Sequence, residues 1–401
     1  MRSIGPMTDF AALWPLDPAV TFLNHGSYGA CPAEVLRVQA ALRAEMEAEP
    51  VRFLGRELDD RLEVARAALA RFVGADPDEL AFVTNATSGV NAVLRSRDFA
   101  PADELLTTDH AYNACKNALE YVAGRTGARV VVVSVPFPVQ SPDDVVETVM
   151  AHVTPRTRLA LLDHITSPTA LILPIERLIA ELERRGIDTL IDGAHAPGMV
   201  PLDLRTLGAT YYSGNCHKWL CAPKGSAFLW VRRQRQSDVR PLTISHGANA
   251  RTNLPRFRVE FDWTGTSDPT AWLTVPAAIE YLGGLLPGGW PALMARNHAL
   301  AVEARRVLCE IAGTPPACPE TMIGSLASVL LPDGQTRALA WRERDPLQGR
   351  LFDGWGIEVP IMSWPAPPRR LIRISAQLYN SMAQYARLAE ALTKELAAEH
   401  V

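Results

Sequence analysis

The sequence predicts an α/β fold: a mostly parallel sheet flanked by helices, followed by a smaller α+β unit. Two observations carry this. Between about residues 60 and 235, short β-rich runs alternate with segments whose apolar residues recur at three- and four-residue intervals. After about residue 255 that rhythm stops, and longer amphipathic stretches surround two strand-like runs.

The strand-like runs are LAFVT (80–84), LLTT (105–108), VVVVSV (130–135), LALLD (159–163), DTLID (188–192), TYYSG (210–214) and SAFLWV (226–231). Most are continuously apolar instead of alternating, as expected of strands covered on both faces. The covering helices fall at 62–73, 112–123 and 174–185, where one apolar stripe repeats. Beyond residue 255, helices are predicted over 297–313 and 381–400, and strands over 325–331 and 371–375. The Pro-rich SWPAPPRR (363–370) reads as an ordered loop, because a strand-like run follows at once.

A chain of 401 residues, 48% hydrophobic and 21% charged, can bury a large core. Its formal charge of −4 gives no electrostatic reason to expect nucleic acid or an anionic membrane as partner. Arg232, Arg233 and Arg235 read as a solvated face. The N-terminal MRSIGPMTDFAALWPLD lacks the apolar middle of a secretory signal, and no run approaches membrane-spanning length. Six cysteines without CxxC or framework spacing suggest a reducing cytoplasm and buried thiols. Nine scattered histidines give no metal-ligand spacing, and HExxH, GxSxG, GxGxxG and GxxxxGK[ST] are absent.

Ligands of open parallel sheets bind beyond the carboxyl ends of the strands, so the loops there are where chemistry is sought. After LAFVT comes NATSGVNAVL (85–94), a helix start suited to a phosphate, or simply an N-cap by Thr87 or Ser88. In LIDGAHAPG (190–198), Asp192 ends an apolar strand and His195 follows; Asp192 either caps a turn or holds a protonated ring nitrogen. In SGNCHKWLCAPKG (213–225), small residues crowd Lys218, and a crowded lysine loses its ammonium form more easily and becomes a nucleophile for a carbonyl. A phosphate cradle, a strand-end acid and an amine, in that order, are the parts pyridoxal phosphate requires.

At this point the chain resembles the class V branch of fold-type I pyridoxal-phosphate enzymes, within it the isopenicillin N epimerase-like group. The likeness runs through LNHGSYGACP (23–32), NATSGVN (85–91), DHAYNA (109–114), HITSPTALILPI (164–175), DGAHAPG (192–198), SGNCHKWLCAPKG (213–225), WTGTSD (263–268) and IRISAQLYN (372–380). It implies a fold-type I PLP-dependent transferase architecture, with a large cofactor-binding domain over 23–254 and a small domain formed by 1–22 and 255–401. It further implies that Lys218 bonds the cofactor aldehyde, Asp192 pairs with the pyridine nitrogen and His195 touches the ring hydroxyl. Thr87, Ser88, Asn215 and His217 would hold the phosphate, with Thr266 reaching across from a partner subunit in a homodimer. Tyr112, in preference to His110, would stack on the ring, and Arg373 would grip the substrate carboxylate. His25 and Tyr28 would line the substrate pocket. Family members carry Asn where this chain has Ser167, which would sit near the ring hydroxyl.

The resemblance implies an enzyme acting at the Cα of an amino acid, where Lys218 takes the Cα proton and the fate of the carbanion decides the reaction. Epimerisation comes first and needs a second acid on the opposite face, for which His25, Tyr28 and Tyr112 are candidates. A carbon–sulfur β-lyase acting on a cysteine derivative is the alternative, and class V transamination comes third. A non-catalytic binding module is disfavoured because Lys218, Asp192 and Arg373 are all present. Cysteine desulfuration is set aside, since no cysteine lies between Cys318 and Arg373.

Overall fold

The computed structural model describes residues 10–340 and 343–399. Of the N-terminal stretch read against a secretory signal, residues 1–9 lie outside the described residues. One seven-stranded sheet is formed by β1 (Leu80–Val83), β2 (Glu104–Thr108), β3 (Arg129–Val133), β4 (Thr157–Asp163), β5 (Asp188–Gly193), β6 (Tyr211–Asn215) and β7 (Ala227–Val231), in the order β1-β7-β6-β5-β4-β2-β3. The pairs from β2 through β6 are parallel, whereas β7 runs antiparallel to both β1 and β6. The reversal has a local cause. The loop 216–226 between β6 and β7 is too short to carry a crossover helix, so the chain must turn straight back.

The helices include α1 (Ala33–Ala48), α2 (Leu58–Val73), α3 (Ala86–Arg95), α4 (Asn113–Thr126), α5 (Pro142–Ala151), α6 (Ile175–Glu183), α7 (Gly289–Ala312) and α8 (Met382–Ala398). Of these, α2 to α6 split between the two faces of the sheet. In β4, Leu159 and Leu161 pack with the buried residues of α3 and α4, while Ala160 and Leu162 pack with those of α2, α5 and α6. This alternation explains why LALLD is apolar throughout: each face of the strand has its own core, and each buried leucine contributes about 1.5–3 kcal/mol. Helix α1 is not among the sequence-predicted elements. Few of its side chains are buried, so it offers little of the apolar stripe by which amphipathic helices are read.

A second, antiparallel sheet holds β8 (Leu326–Leu331), β9 (Ile361–Ser363) and β10 (Arg370–Ser375) in the order β9-β10-β8. The Pro-rich segment is the ordered turn joining β9 to β10. Along β10, Ile372 and Ile374 enter the core, which turns the intervening Arg373 to the other side. The arginines at 232–235 are more engaged than a merely solvated face. Arg233 pairs with Asp76 and Arg235 with Asp188, each at 2.9 Å, and Arg232 pairs with Glu183 at 2.6 Å. Partly exposed pairs of this kind contribute about 0–1 kcal/mol each. Among the described residues no helix is long and apolar enough to cross a membrane.

Candidate active site

Parallel strands that end on one edge bring their terminal side chains together. Beyond the ends of β1, β4, β5 and β6 lies a cavity of about 530 Å³, within the size range of small-molecule sites. Of the residues singled out in the sequence, Tyr28, Thr87, Ser88, Tyr112, Ser167, Asp192, His195, Asn215, His217 and Lys218 line it. A larger depression of about 680 Å³ runs along α3 and the 237–244 segment, away from these strand ends, and contains none of them.

Lys218 sits in the tight loop leaving β6 and is buried. The segment 24–29 packs against this loop so closely that a Cβ on Gly29 would fall 2.1 Å from the His217 carbonyl oxygen, and Gly29 has φ of +71°. Only glycine meets both conditions. The Lys218 Nζ lies 3.0 Å from His195 Nε2. Burial, followed by the positive charge of Arg373, brings the lysine down to about 8, while Asp192 and Asp163 oppose this.

Asp192 ends β5 and is buried, with Oδ2 accepting from the Cys115 thiol at 3.0 Å and Oδ1 from the Ala194 amide at 3.0 Å. Its register neighbour on β4 is Asp163, so both side chains leave the sheet on the same side. Asp163 is buried too, its Oδ1 has no hydrogen-bond partner, and it also lines the cavity. Burial raises both carboxyls, and the charge of Asp192 adds to the effect on Asp163, which lies well above the ordinary range. Two dry carboxyls side by side form a place for a cationic group.

Helix α3 begins at the cavity. Its N-cap is Asn85, whose Oδ1 accepts from the Ser88 amide at 2.8 Å, which corrects the assignment of the cap to Thr87 or Ser88. Both hydroxyls therefore lie in the first turn, and both face the cavity. Asn215 reaches from β6 and accepts from the Ala86 amide at 2.8 Å, which orients the helix start. Gly89 lets the helix approach β6, since a Cβ there would fall 2.2 Å from Ser213 Oγ. The positive end of α3 favours an anion by about 0.3–1 kcal/mol. His217, with Nδ1 on the Ser226 carbonyl at 2.9 Å, is lowered to about 4, chiefly by burial.

Arg373 does not itself line the cavity; it bonds to Ser27 and Ser167, which do. Nη1 donates to the Ser167 carbonyl at 2.5 Å and to Ser167 Oγ at 3.2 Å, and Nη2 donates to Ser27 Oγ at 2.9 Å. Its Nε is buried without a partner, and burial lowers the group to about 10. Among the described residues no carboxylate forms an ion pair with it. A dry guanidinium held only by neutral groups suits a carboxylate arriving with a ligand. Ser167 thus contacts Arg373 while lining the cavity.

One residue is placed differently from expectation. His25 does not line the cavity: it is fully buried behind the lysine loop, with Nδ1 at 2.8 Å from the Tyr379 hydroxyl and Nε2 at 3.0 Å from the Lys218 carbonyl. The helical turn His25–Tyr28 points the imidazole inward and leaves Tyr28 77% exposed at the cavity mouth. Thr266 is exposed and lies outside the cavity of its own chain. His110 is buried against Thr169 and the Val135 carbonyl, and Tyr112 alone of the two lines the cavity. Sequence reasoning missed Asp163, Cys115 and Trp219. For Asp163 a signal existed, since LALLD ends in an acid just as DTLID does. Cys115 and Trp219 look like core residues until the fold sets them beside Asp192 and His195.

Comparison with known proteins agrees with this geometry. The chain is 38% identical over 397 residues to an isopenicillin N epimerase of Amycolatopsis lactamdurans, covering 95% of this chain and 96% of that protein. It is 33% identical over 399 residues to a probable chloroplastic L-cysteine desulfhydrase of Arabidopsis thaliana, covering 94% and 83%. Among solved structures, a form of C-DES with glycine covalently linked to its PLP cofactor superposes with a TM-score of 0.79 at 20% identity, covering 97% of this chain and 99% of the other. That likeness supports the fold-type I architecture. The family model for aminotransferase class-V matches residues 29–340, and the chain belongs to that family.

Proposed function

We propose that this chain is an epimerase acting at the Cα of an amino acid or amino-acid derivative, with pyridoxal phosphate as cofactor, and that it works as a homodimer. The observation that carries the reading is the convergence on one cavity of an amine lowered to about 8 and two dry carboxyls, with a guanidinium that has no carboxylate partner bonded to Ser27 and Ser167 of the cavity lining. The unsatisfied Asp163 Oδ1 and Arg373 Nε, together with the anion-favouring start of α3, fit such a cofactor and an amino-acid carboxylate. When bound, pyridoxal phosphate supplies an electrophilic aldehyde and a ring that accepts the electron pair left at Cα.

The chain's own residues do the rest. Lys218 supplies the amine that holds the cofactor and, once released, the base that takes the Cα proton. Asp192, with Asp163 beside it, would hold the ring nitrogen in its protonated form. The α3 start, Thr87, Ser88, Asn215 and His217 take the phosphate, and Thr266 of each subunit serves the other's site. Arg373 fixes the carboxylate and so selects which Cα bond is aligned for breaking. His195 lies next to the amine and serves the ring hydroxyl.

For inversion, a proton must come from the side opposite Lys218. With His25 buried behind the loop, Tyr112 and Tyr28 are the side chains to supply it. Burial raises the Tyr112 phenol above its ordinary value, which keeps it a proton donor. The second reading, a carbon–sulfur β-lyase on a cysteine derivative, rests on the desulfhydrase relatives and needs only a leaving group at Cβ. All six cysteines are buried and none lines the cavity, which favours both readings over sulfur transfer to a protein thiol.

A panel of amino acids in deuterated water separates these outcomes. Epimerisation gives the opposite enantiomer with label at Cα, whereas release of a thiol or sulfide with a keto acid replaces this reading by the lyase. Borohydride reduction followed by peptide mapping is expected to label Lys218; label on another lysine overturns the site.

A further inference from the structure

We infer that Trp219 is a positioning residue that fixes the tautomer of His195, so that the hydrogen bond from His195 to Lys218 can be made only by the lysine's uncharged amine. The inference rests on the reading of Lys218 as the amine that meets the cofactor, and it deepens that reading.

Three contacts carry it. The Trp219 indole Nε1 lies 3.2 Å from His195 Nδ1, and an indole nitrogen can only donate. His195 Nδ1 must therefore offer its lone pair. A neutral imidazole has one N–H, which is left on Nε2, and Nε2 lies 3.0 Å from Lys218 Nζ. The contact is then Nε2–H donating to nitrogen, which requires a lone pair on Nζ. An ammonium has none. With an ammonium at residue 218, the ring would need its proton on Nδ1, facing the indole N–H donor to donor. The proton that leaves Nζ passes to solvent, because the only ring lone pair is already taken by Trp219.

The geometry is rigid. Trp219 and His195 are essentially buried, and the indole packs on the His25 ring with centroids 4.7 Å apart. His25 is in turn held by the Tyr379 hydroxyl and the Lys218 carbonyl. The charged and titratable groups around the amine act in both directions: Arg373 lowers it, while Asp192, Asp163 and Cys115 raise it. His195 faces Lys218, Arg373 and His25, and burial above all keeps it neutral. With burial and Arg373 already bringing Lys218 down, a neighbour that bonds only to the free base favours the nucleophilic form further.

The test uses the full chain freed of cofactor. The rate at which an amine-directed acylating reagent labels Lys218 is measured against pH by peptide mapping, in parallel with the growth of visible absorbance on adding pyridoxal phosphate. In Trp219→Phe the indole donor is lost and the ring can turn its lone pair to an ammonium. The midpoint of both profiles is expected to rise by about one pH unit, so that both reactions slow about tenfold near neutrality and match the unaltered protein well above the midpoint. A uniform slowing at every pH, or an unmoved midpoint, overturns the inference. Failure of Lys218 to react in the unaltered protein while another lysine takes up the cofactor overturns the underlying reading instead. Should Trp219→Phe not fold, the ¹⁵N shifts of His195 in the unaltered protein decide, assigned by comparison with His195→Gln: a proton on Nε2 is expected, and a proton on Nδ1 refutes the proposal.

Discussion

Arg373 illustrates how one side chain carries two roles that can be separated. Its guanidinium is buried against Ser167 and Ser27, two residues of the cavity lining. Arg373→Ala is expected to weaken amino-acid binding about 10- to 100-fold, the worth of one or two charge-assisted bonds, while pyridoxal phosphate stays bound. Spectral titration with amino acids checks this, and equal loss of both ligands would make the arginine a structural residue. Asp163 makes the opposite kind of contribution. Its folded value is raised, so this carboxyl adds stability that is present below the ordinary carboxylate range and lost as pH rises toward the folded value. Asp163→Asn removes the penalty. The cofactor-free chain is then expected to melt higher at neutral pH, by about 1–3 kcal/mol of unfolding free energy, with the gain vanishing in acid. A lower melting temperature at neutral pH would mean that the carboxylate is paired in solution. Asp163 was legible as an acid closing an apolar run, but its pairing with Asp192 is a matter of register between strands.

Helix α3 begins at the cavity, and its start is the place proposed for the cofactor phosphate. The strand-to-helix passage at NATSG was evident from its small residues, yet the cap proved to be Asn85 and not a hydroxyl residue. The reason is geometric: capping needs extended backbone just outside the helix, and Asn85 has φ of −163° and ψ of 165° while Thr87 and Ser88 are already helical. Asn85→Ala is expected to cost about 0.5–2 kcal/mol of stability and to weaken retention of pyridoxal phosphate. Chemical denaturation together with dialysis against free cofactor measures both; retention unchanged at reduced stability would remove the helix start from the phosphate site. The reversal of β7 belongs to the same scale. The sequence reads β7 as one more buried strand, and only the length of the 216–226 loop fixes its direction.

At the scale of the whole molecule, the sheet is pinned at its opposite end by Glu104. This carboxylate accepts from Thr154 Oγ1 at 2.6 Å and from Arg129 at 2.7 Å, with Arg156 beside it at 2.9 Å, and these contacts hold it down to about 2. A depressed carboxylate contributes stability that is present above its ordinary value and lost as pH falls through the folded one. Glu104→Gln is therefore expected to lower the neutral melting temperature by a few degrees (~2–4 °C for a chain this size) and to flatten the acid limb between about pH 4.5 and about pH 2. An unchanged acid limb would assign that transition to other carboxylates. Thr266 is exposed and outside its own chain's cavity, so the role proposed for it requires a second subunit. Sedimentation is expected to show a dimer.

By itself the sequence determined the alternation of strands and helices, the polar residues that close the apolar runs, and the order in which Lys218, Asp192 and the α3 start follow one another. These are local quantities: periodicity, strand-end chemistry and the crowding of small residues can be read without knowing what faces what. Tertiary structure alone decided that His25 lies behind the lysine loop, that Arg373 arrives from a separate sheet, and that Trp219 and Cys115 stand against His195 and Asp192. Contacts between residues far apart in the chain depend on strand order and register, and a one-residue change of register would carry Arg373 or Asp192 to the other face of its strand.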